Sequence, residues 1–256
     1  MRWRLLTTPP LGGAENMGCD ELLLRRAAAT GEAVLRVYSW SGPTLSLGRN
    51  QPARDEYDPS ALRAHGLSAV RRLTGGRAVL HHREVTYSVT APDSFGGALR
   101  DAYLRINEIL VQGLRSLGVA ASIATPAGRA PLPSTAPCFE QPTEGELVLD
   151  GRKLVGSAQY RDGSALLQHG SILVDDDQLL VGSLLRSPAA PPPPPATLHQ
   201  ALGRVPTPAE VANALFDAVR EREDADAADL VPDQLFGEEV VAASERYRDE
   251  RWTWRR

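Results

Sequence analysis

Apolar residues recur at helical spacing along Gly96–Leu117. Leu99, Tyr103, Ile106, Leu110, Leu114 and Leu117 fall three or four residues apart and predict the longest helix of the chain, with Gly118 as its C-terminal stop. A second stripe, Met17 with Leu22, Leu23 and Leu24, predicts a helix over Ala14–Ala29 that ends at Gly31. Between these helices the pattern shortens and alternates. Strands are predicted at Ala33–Trp40, Thr44–Leu47, Ser68–Leu73 and Val85–Thr90, and a further one at Val119–Ala124. Asp58–Ala64 reads as a short helix closed by Gly66.

After a Pro- and Gly-containing loop over Thr125–Pro142, the chain predicts a three-strand antiparallel meander. Glu146–Leu149 and Arg152–Tyr160 flank Asp150-Gly151, a favoured two-residue turn, and Asp162-Gly163 leads into Ala165–Val174. Pro188–Pro195 reads as a stiff polyproline segment. Helices are predicted beyond it at Pro208–Glu221 and Pro232–Arg246. Helices and strands mix without strict alternation, which predicts an α+β class with a mostly antiparallel mixed sheet flanked by helices. The expected organisation is a main domain over residues 1–186, a proline-rich linker over 187–197 and a small C-terminal helical extension over 198–256.

The 256 residues carry a formal net charge of −4, which argues against non-specific nucleic-acid binding. No stretch reaches the roughly 18 apolar residues of a membrane span, and no signal-peptide pattern opens the chain. The two cysteines, Cys19 and Cys138, form no CxxC pair, so neither a zinc site nor a disulfide framework is expected and a reducing cytoplasm is the expected setting. No metal and no cofactor are expected.

Five segments could carry chemistry. Arg71-Arg72-Leu73-Thr74-Gly75-Gly76-Arg77 combines close backbone approach with planar donors for phosphate or carboxylate, although it fits a basic hairpin tip equally well. His81 and His82 are neighbours on an extended segment, so at most one can face a site beside that loop, and a histidine that merely holds the loop is the simpler reading. Cys138 lies in a Pro-containing loop, where an exposed thiol needs a use, whereas Cys19 lies inside a helix and reads as packing. Lys153 starts a strand on which Val155, Ser157 and Gln159 share its face while Gly156 marks the other; a solvated edge lysine fits as well. His169, among apolar strand residues, reads as a satisfied, partly buried side chain.

Together these segments resemble the biotin/lipoate protein ligase family. The resemblance rests on Asn16-Met17 with Asp20-Glu21, on Leu45-Ser46-Leu47-Gly48-Arg49-Asn50-Gln51, on the arginine–glycine loop with its trailing His81, and on Gly151-Arg152-Lys153 through Gln159 followed by Gln168-His169-Gly170. Pro137-Cys138-Phe139, with Glu146-Leu147 and Gly151-Arg152-Lys153 behind it, is similar to the octanoyltransferase branch that carries a catalytic loop cysteine. That resemblance implies a Cys138 thioester, with Lys153 lowering the thiol pKa and positioning the substrate carbonyl. It implies substrate contacts from Arg71, Arg72, Thr74, Gly75, Gly76, His81, Gly156, Ser157 and His169. The expected donor is an octanoyl-loaded acyl carrier protein; the acceptor is a lysine of a lipoyl domain or of a glycine-cleavage H-type protein. An activated thioester needs no ATP. Burying some seven chain carbons at about 0.8 kcal/mol each gives roughly 5 kcal/mol of chain-length selection. The alternatives within the fold are an ATP-dependent lipoate–protein ligase and an octanoyl or lipoyl amidotransferase.

Overall fold

The computed structural model describes residues 1–124, 145–187, 193–232 and 234–256. Its elements, in chain order, begin with β1 (Trp3–Thr7), α1 (Gly13–Thr30), β2 (Ala33–Tyr38), β3 (Thr44–Leu47), α2 (Pro59–Ala64), β4 (Ser68–Arg71), β5 (Val79–His81), β6 (Glu84–Pro92) and α3 (Leu99–Ser116). They continue with β7 (Ser122–Ile123), β8 (Leu147–Leu149), β9 (Arg152–Arg161), β10 (Ala165–Leu173), α4 (Leu180–Ser183), α5 (Leu198–Leu202), α6 (Pro208–Arg222), β11 (Ala228–Asp229), α7 (Gln234–Arg248) and α8 (Glu250–Thr253).

Eight strands form one sheet in the order β11-β1-β2-β6-β10-β9-β8-β7. It is parallel at β11-β1-β2 and antiparallel elsewhere. A second sheet of β4-β3-β5 stands beside it. The class is therefore the expected α+β. The Asp150-Gly151 turn closes the β8–β9 hairpin with both residues at positive φ, 50° and 74°, the geometry that this pair of residues favours.

The apolar stripe of α3 meets one sheet face. Ile106, Leu110 and Leu114 pack with Leu35, Val89 and Val155 in the main core. On the other face lies α1, whose Leu23 and Leu24 are buried and whose Cys19 is 1% exposed, a packing residue as expected. Burial pushes the Cys19 thiol up to about 11.

Residues 198–256, expected as an extension, are built into the same body. Val211, Leu215 and Val219 of α6 join the main core, β11 pairs with β1, and Val240 of α7 packs with Leu23 of α1. Part of the proline-rich segment, residues 188–192, lies outside the described residues. Its far end is a strap, with Ala196 buried and its N–H donated to the Lys153 carbonyl at 2.9 Å. Among the described residues no helix is long and apolar enough to cross a membrane.

Candidate active site

The small sheet turns its edge toward α1 and the middle of β9 and β10, and a narrow, partly open cleft lies between them, its free interior about 30 Å³. Gly156, Ala158, His169 and Ser171 form its floor, as the register dictates: Gly156 pairs with Ser171 and Ala158 with His169, so each pair shares one face. Met17, Trp40 and Val79 supply apolar wall. Gly170 is confined between strands, since a Cβ there would lie 2.7 Å from the Gly156 carbonyl oxygen.

Gly76 lines the cleft and sits at φ +88°, the left-handed region that favours glycine. The backbone of Gly48 presses directly on it: a Cβ added at Gly48 would lie 1.9 Å from the Gly76 oxygen. Gly48→Ala is therefore expected to displace the Gly75-Gly76 loop, to cost about 1–3 kcal/mol of stability and to reduce activity; urea unfolding beside an acyl-transfer assay reads both effects.

Arg72 holds the loop from below. Its Nε donates to Thr74 Oγ1 at 3.2 Å, Nη1 to the Ser46 carbonyl at 2.9 Å and to Ser46 Oγ at 3.0 Å, and Nη2 to the carbonyls of Gly75 at 2.8 Å and Arg77 at 2.7 Å. A guanidinium has five N–H donors, and all five meet protein acceptors. Arg72 is thus a clamp that shapes the loop, not the open anion fork its sequence context suggested. Arg71 points away from the cleft altogether. It is fully buried and donates to the carbonyls of Thr253, Gly48 and Gln51 at 2.6–2.8 Å, tying α8 to the turn after β3. The expectation of substrate contact from Arg71 gives way to this structural role.

Two hydroxyl–imidazole–carboxylate chains converge on Arg72. In one, Thr74 Oγ1 lies 2.6 Å from His169 Nε2, and His169 Nδ1 lies 3.1 Å from Asp20 Oδ2. Asp20 also accepts from Arg36 Nη1 at 2.8 Å, Tyr38 Oη at 2.9 Å and Ser88 Oγ at 2.8 Å. Burial works against the Asp20 carboxylate, yet the hydrogen bond from His169 and the charge of Arg36 hold its pKa below the usual range. Burial pushes His169 down despite Asp20, so the imidazole is neutral at pH 7. In the second chain, Ser46 Oγ lies 2.8 Å from His81 Nε2, and His81 Nδ1 lies 3.2 Å from Glu84 Oε1. Trp40 stacks on the His81 ring with centroids 4.0 Å apart. His82 turns to solvent and meets Asp177, so only the first of the two histidines faces the site.

The cleft thus gathers Arg72, Gly76, His81, Gly156, Ser157 and His169, with Thr74 hydrogen-bonded to its edge. Ser157 contributes to the lining, but its hydroxyl meets Tyr87 Oη at 2.7 Å on the core side. Lys153 shares that side and does not line the cleft. It is 3% exposed, and its Nζ donates to Glu146 Oε1 at 2.7 Å. Cys138 lies outside the described residues. The chain leaves and re-enters the described structure beside this ion pair: Ala124 N–H donates to the Glu146 carbonyl at 2.8 Å and Gly145 N–H to the Ala124 carbonyl at 3.2 Å. Sequence reasoning missed Glu84, although it stands only three residues after His81, a spacing that could have paired the two. Asp20 and Glu146 entered only through the family resemblance.

A model of the lipoyl protein ligase A/B catalytic domain matches residues 13–220. The chain is 42% identical to the octanoyltransferase LipM of Kyrpidia tusciae over 99% of both chains. It is 47% identical to the octanoyltransferase LipM of Moorella thermoacetica over 78% of this chain and 77% of that relative. Among solved structures, a putative lipoate protein ligase from Thermoplasma acidophilum with bound lipoic acid aligns with a TM-score of 0.78 at 23% identity, covering 99% of this chain and 100% of that one. A lipoate-protein ligase A bound with ATP aligns at 0.73 and 22% identity over 99% of each chain. The structural neighbours establish the fold, and the family model together with relatives covering 78–99% of the chain establish the lineage: this chain belongs to the lipoyl protein ligase A/B catalytic-domain family.

Proposed function

We propose that the protein is a cytoplasmic octanoyltransferase of lipoate assembly, taking octanoyl from an acyl carrier protein and delivering it to a lysine of a lipoyl-acceptor protein. One observation carries this reading: the near full-length identity of 42% to a relative named octanoyltransferase. The cleft supports it, with a narrow floor of Gly156 and Ala158 and apolar walls from Met17, Trp40 and Val79 suited to an alkyl chain.

The chemistry runs in two balanced steps. The Cys138 thiolate attacks the thioester carbonyl, a new C–S bond forms, and the carrier's thiolate departs and takes up a proton. The neutral amine of the acceptor lysine then attacks the acyl-cysteine; the C–N bond forms, the C–S bond breaks, and the proton lost by nitrogen returns to sulfur. Lys153 is assigned to the thiolate, as a cation fixed beside the point where the cysteine-bearing segment joins β8. Cys138 is seven residues before Gly145, where the described chain resumes.

The test supplies octanoyl-loaded carrier and a lipoyl-domain acceptor without ATP. Wild type is expected to acylate the acceptor, and Cys138→Ala to lose at least about 10³-fold in rate. Unchanged acylation by Cys138→Ala, or a requirement for ATP, counts against the reading.

A further inference from the structure

The two hydroxyl–imidazole–carboxylate chains around Arg72 are alike in geometry but not in electrostatics. Asp20 spends its charge on Arg36, a fully buried partner 2.8 Å away. His169 beside it is held neutral by burial and by the neighbouring Arg72 and His81. That chain is a fixed brace. Glu84 differs. Its partners are the hydroxyls of Thr86 at 2.7 and 2.8 Å and of Ser171 at 2.8 Å, together with His81. Among the described residues no lysine or arginine pairs with it. Its negative charge is therefore available to a protonated His81, with which it shares a wall of the cleft.

The hydrogen bonds fix the direction of this second chain. Glu84 can only accept, so His81 presents Nδ1–H to it and leaves Nε2 as the acceptor of the Ser46 proton. Arg72 Nη1 donates to the same Ser46 oxygen at 3.0 Å and favours negative charge there. Ser46 and His81 both line the cleft. A hydroxyl hydrogen-bonded to an imidazole, itself oriented by a carboxylate, is the arrangement that activates serine as a nucleophile.

We propose that Ser46 is a second nucleophile of this cleft, with His81 as its base and Glu84 as the positioning residue, and that it gives the protein a hydrolytic activity on medium-chain acyl esters and thioesters. The eight-carbon preference rests on the octanoyl reading above; the nucleophile does not. Ser46 Oγ bonds to the acyl carbon as its proton passes to His81 Nε2. The bond to the alcohol or thiol breaks, and His81 protonates the leaving group. Water then attacks the acyl-serine and gives a proton to His81. The C–Oγ bond breaks, Ser46 regains its proton, and a free carboxylic acid departs. In the transfer reaction such a route would discard acyl groups that stall in the cleft.

The experiment uses the full-length Cys138→Ala protein with p-nitrophenyl octanoate, and separately a fluorophosphonate probe followed by peptide mapping. Hydrolysis above the buffer rate and a label on Ser46 are expected. Adding Ser46→Ala or His81→Gln is expected to lower the rate by about 10²-fold or more, while Ser46→Cys, which keeps both shape and nucleophile, retains turnover. Folded Cys138→Ala protein that hydrolyses no faster than buffer, or whose hydrolysis survives Ser46→Ala unchanged, overturns the proposal. Either of those results leaves the octanoyl-transfer reading intact, because that reading is measured with Cys138 present and an amine acceptor.

Discussion

Asp20→Asn is expected to destabilise the protein by about 3–5 kcal/mol, the cost of leaving a buried charge without its partner. Asp20 ties α1 to three strands at once, through Arg36 and Tyr38 on β2, Ser88 on β6 and His169 on β10. The Arg36 guanidinium is wholly buried, and the remaining acceptors it meets, Thr8 Oγ1 and the Asn16 carbonyl and amide oxygens, are all neutral. An asparagine keeps the shape but cannot balance that charge. Urea unfolding measures the loss, and for a chain of this size the melting temperature should fall by roughly 10 °C or more.

The same cluster sets a pH dependence. Folded Asp20 holds its proton less tightly than an unfolded carboxyl, whose pKa is about 3.9, so its contribution is complete above that value and is lost as the pH falls through the lower folded value. Folded His169 also binds a proton less readily than an unfolded imidazole, whose pKa is about 6.5. The unfolded chain therefore takes up more protons than the folded one in both cases, and stability falls as the pH drops below about 6.5. Thermal melts between pH 7 and pH 5 check the His169 part, and the slope in that window should shrink in His169→Gln.

Lys153→Met is expected to cost a similar 3–5 kcal/mol, because it breaks a buried ion pair whose other member, Glu146, is only 6% exposed. The paired change Lys153→Met with Glu146→Leu should recover most of that loss, since an apolar pair of similar volume replaces a buried ion pair at little net cost. The two variants separate structure from chemistry. If Lys153 acts only in packing, the double variant recovers acyl transfer along with its melting temperature. If Lys153 serves the Cys138 thiolate, as proposed, melting recovers and transfer does not, because the double variant still lacks the cation.

How far the sequence could be read depends on the range of the interaction involved. The Asp150-Gly151 hairpin, the α3 stripe and the β9–β10 meander were legible because each is written in neighbouring residues. Short pieces were not: β1 was missed because Trp3–Thr7 gains its place from pairing with β2 and β11, and β11 itself spans two residues. The C-terminal segment reads as an extension behind its prolines, yet α6 carries a core face that only becomes visible opposite α3. At the site, the alternation on β9 correctly set Gly156 against Lys153, and of the neighbouring histidines only His81 faces the cleft. What local reading could not give is where a guanidinium goes. Arg71 and Arg72 are adjacent in sequence and on opposite faces of the strand end, one stitched to α8 and the other to the glycine loop. The carboxylate behind His169, Asp20, lies on an element distant in the chain, so no spacing announces it, whereas Glu84 stands three residues after His81 and was within reach of a local reading.

Everything in the proposed reaction turns on an acyl group carried by Cys138. It is tested most directly by the intact mass of the purified protein after incubation with octanoyl-loaded acyl carrier protein, with neither ATP nor acceptor present. A gain of one octanoyl group is expected, released by hydroxylamine and absent from Cys138→Ala. A protein that gains no acyl group under these conditions, yet modifies an acceptor once free octanoate or lipoate and ATP are supplied, would contradict the thioester route and make Cys138 a bystander.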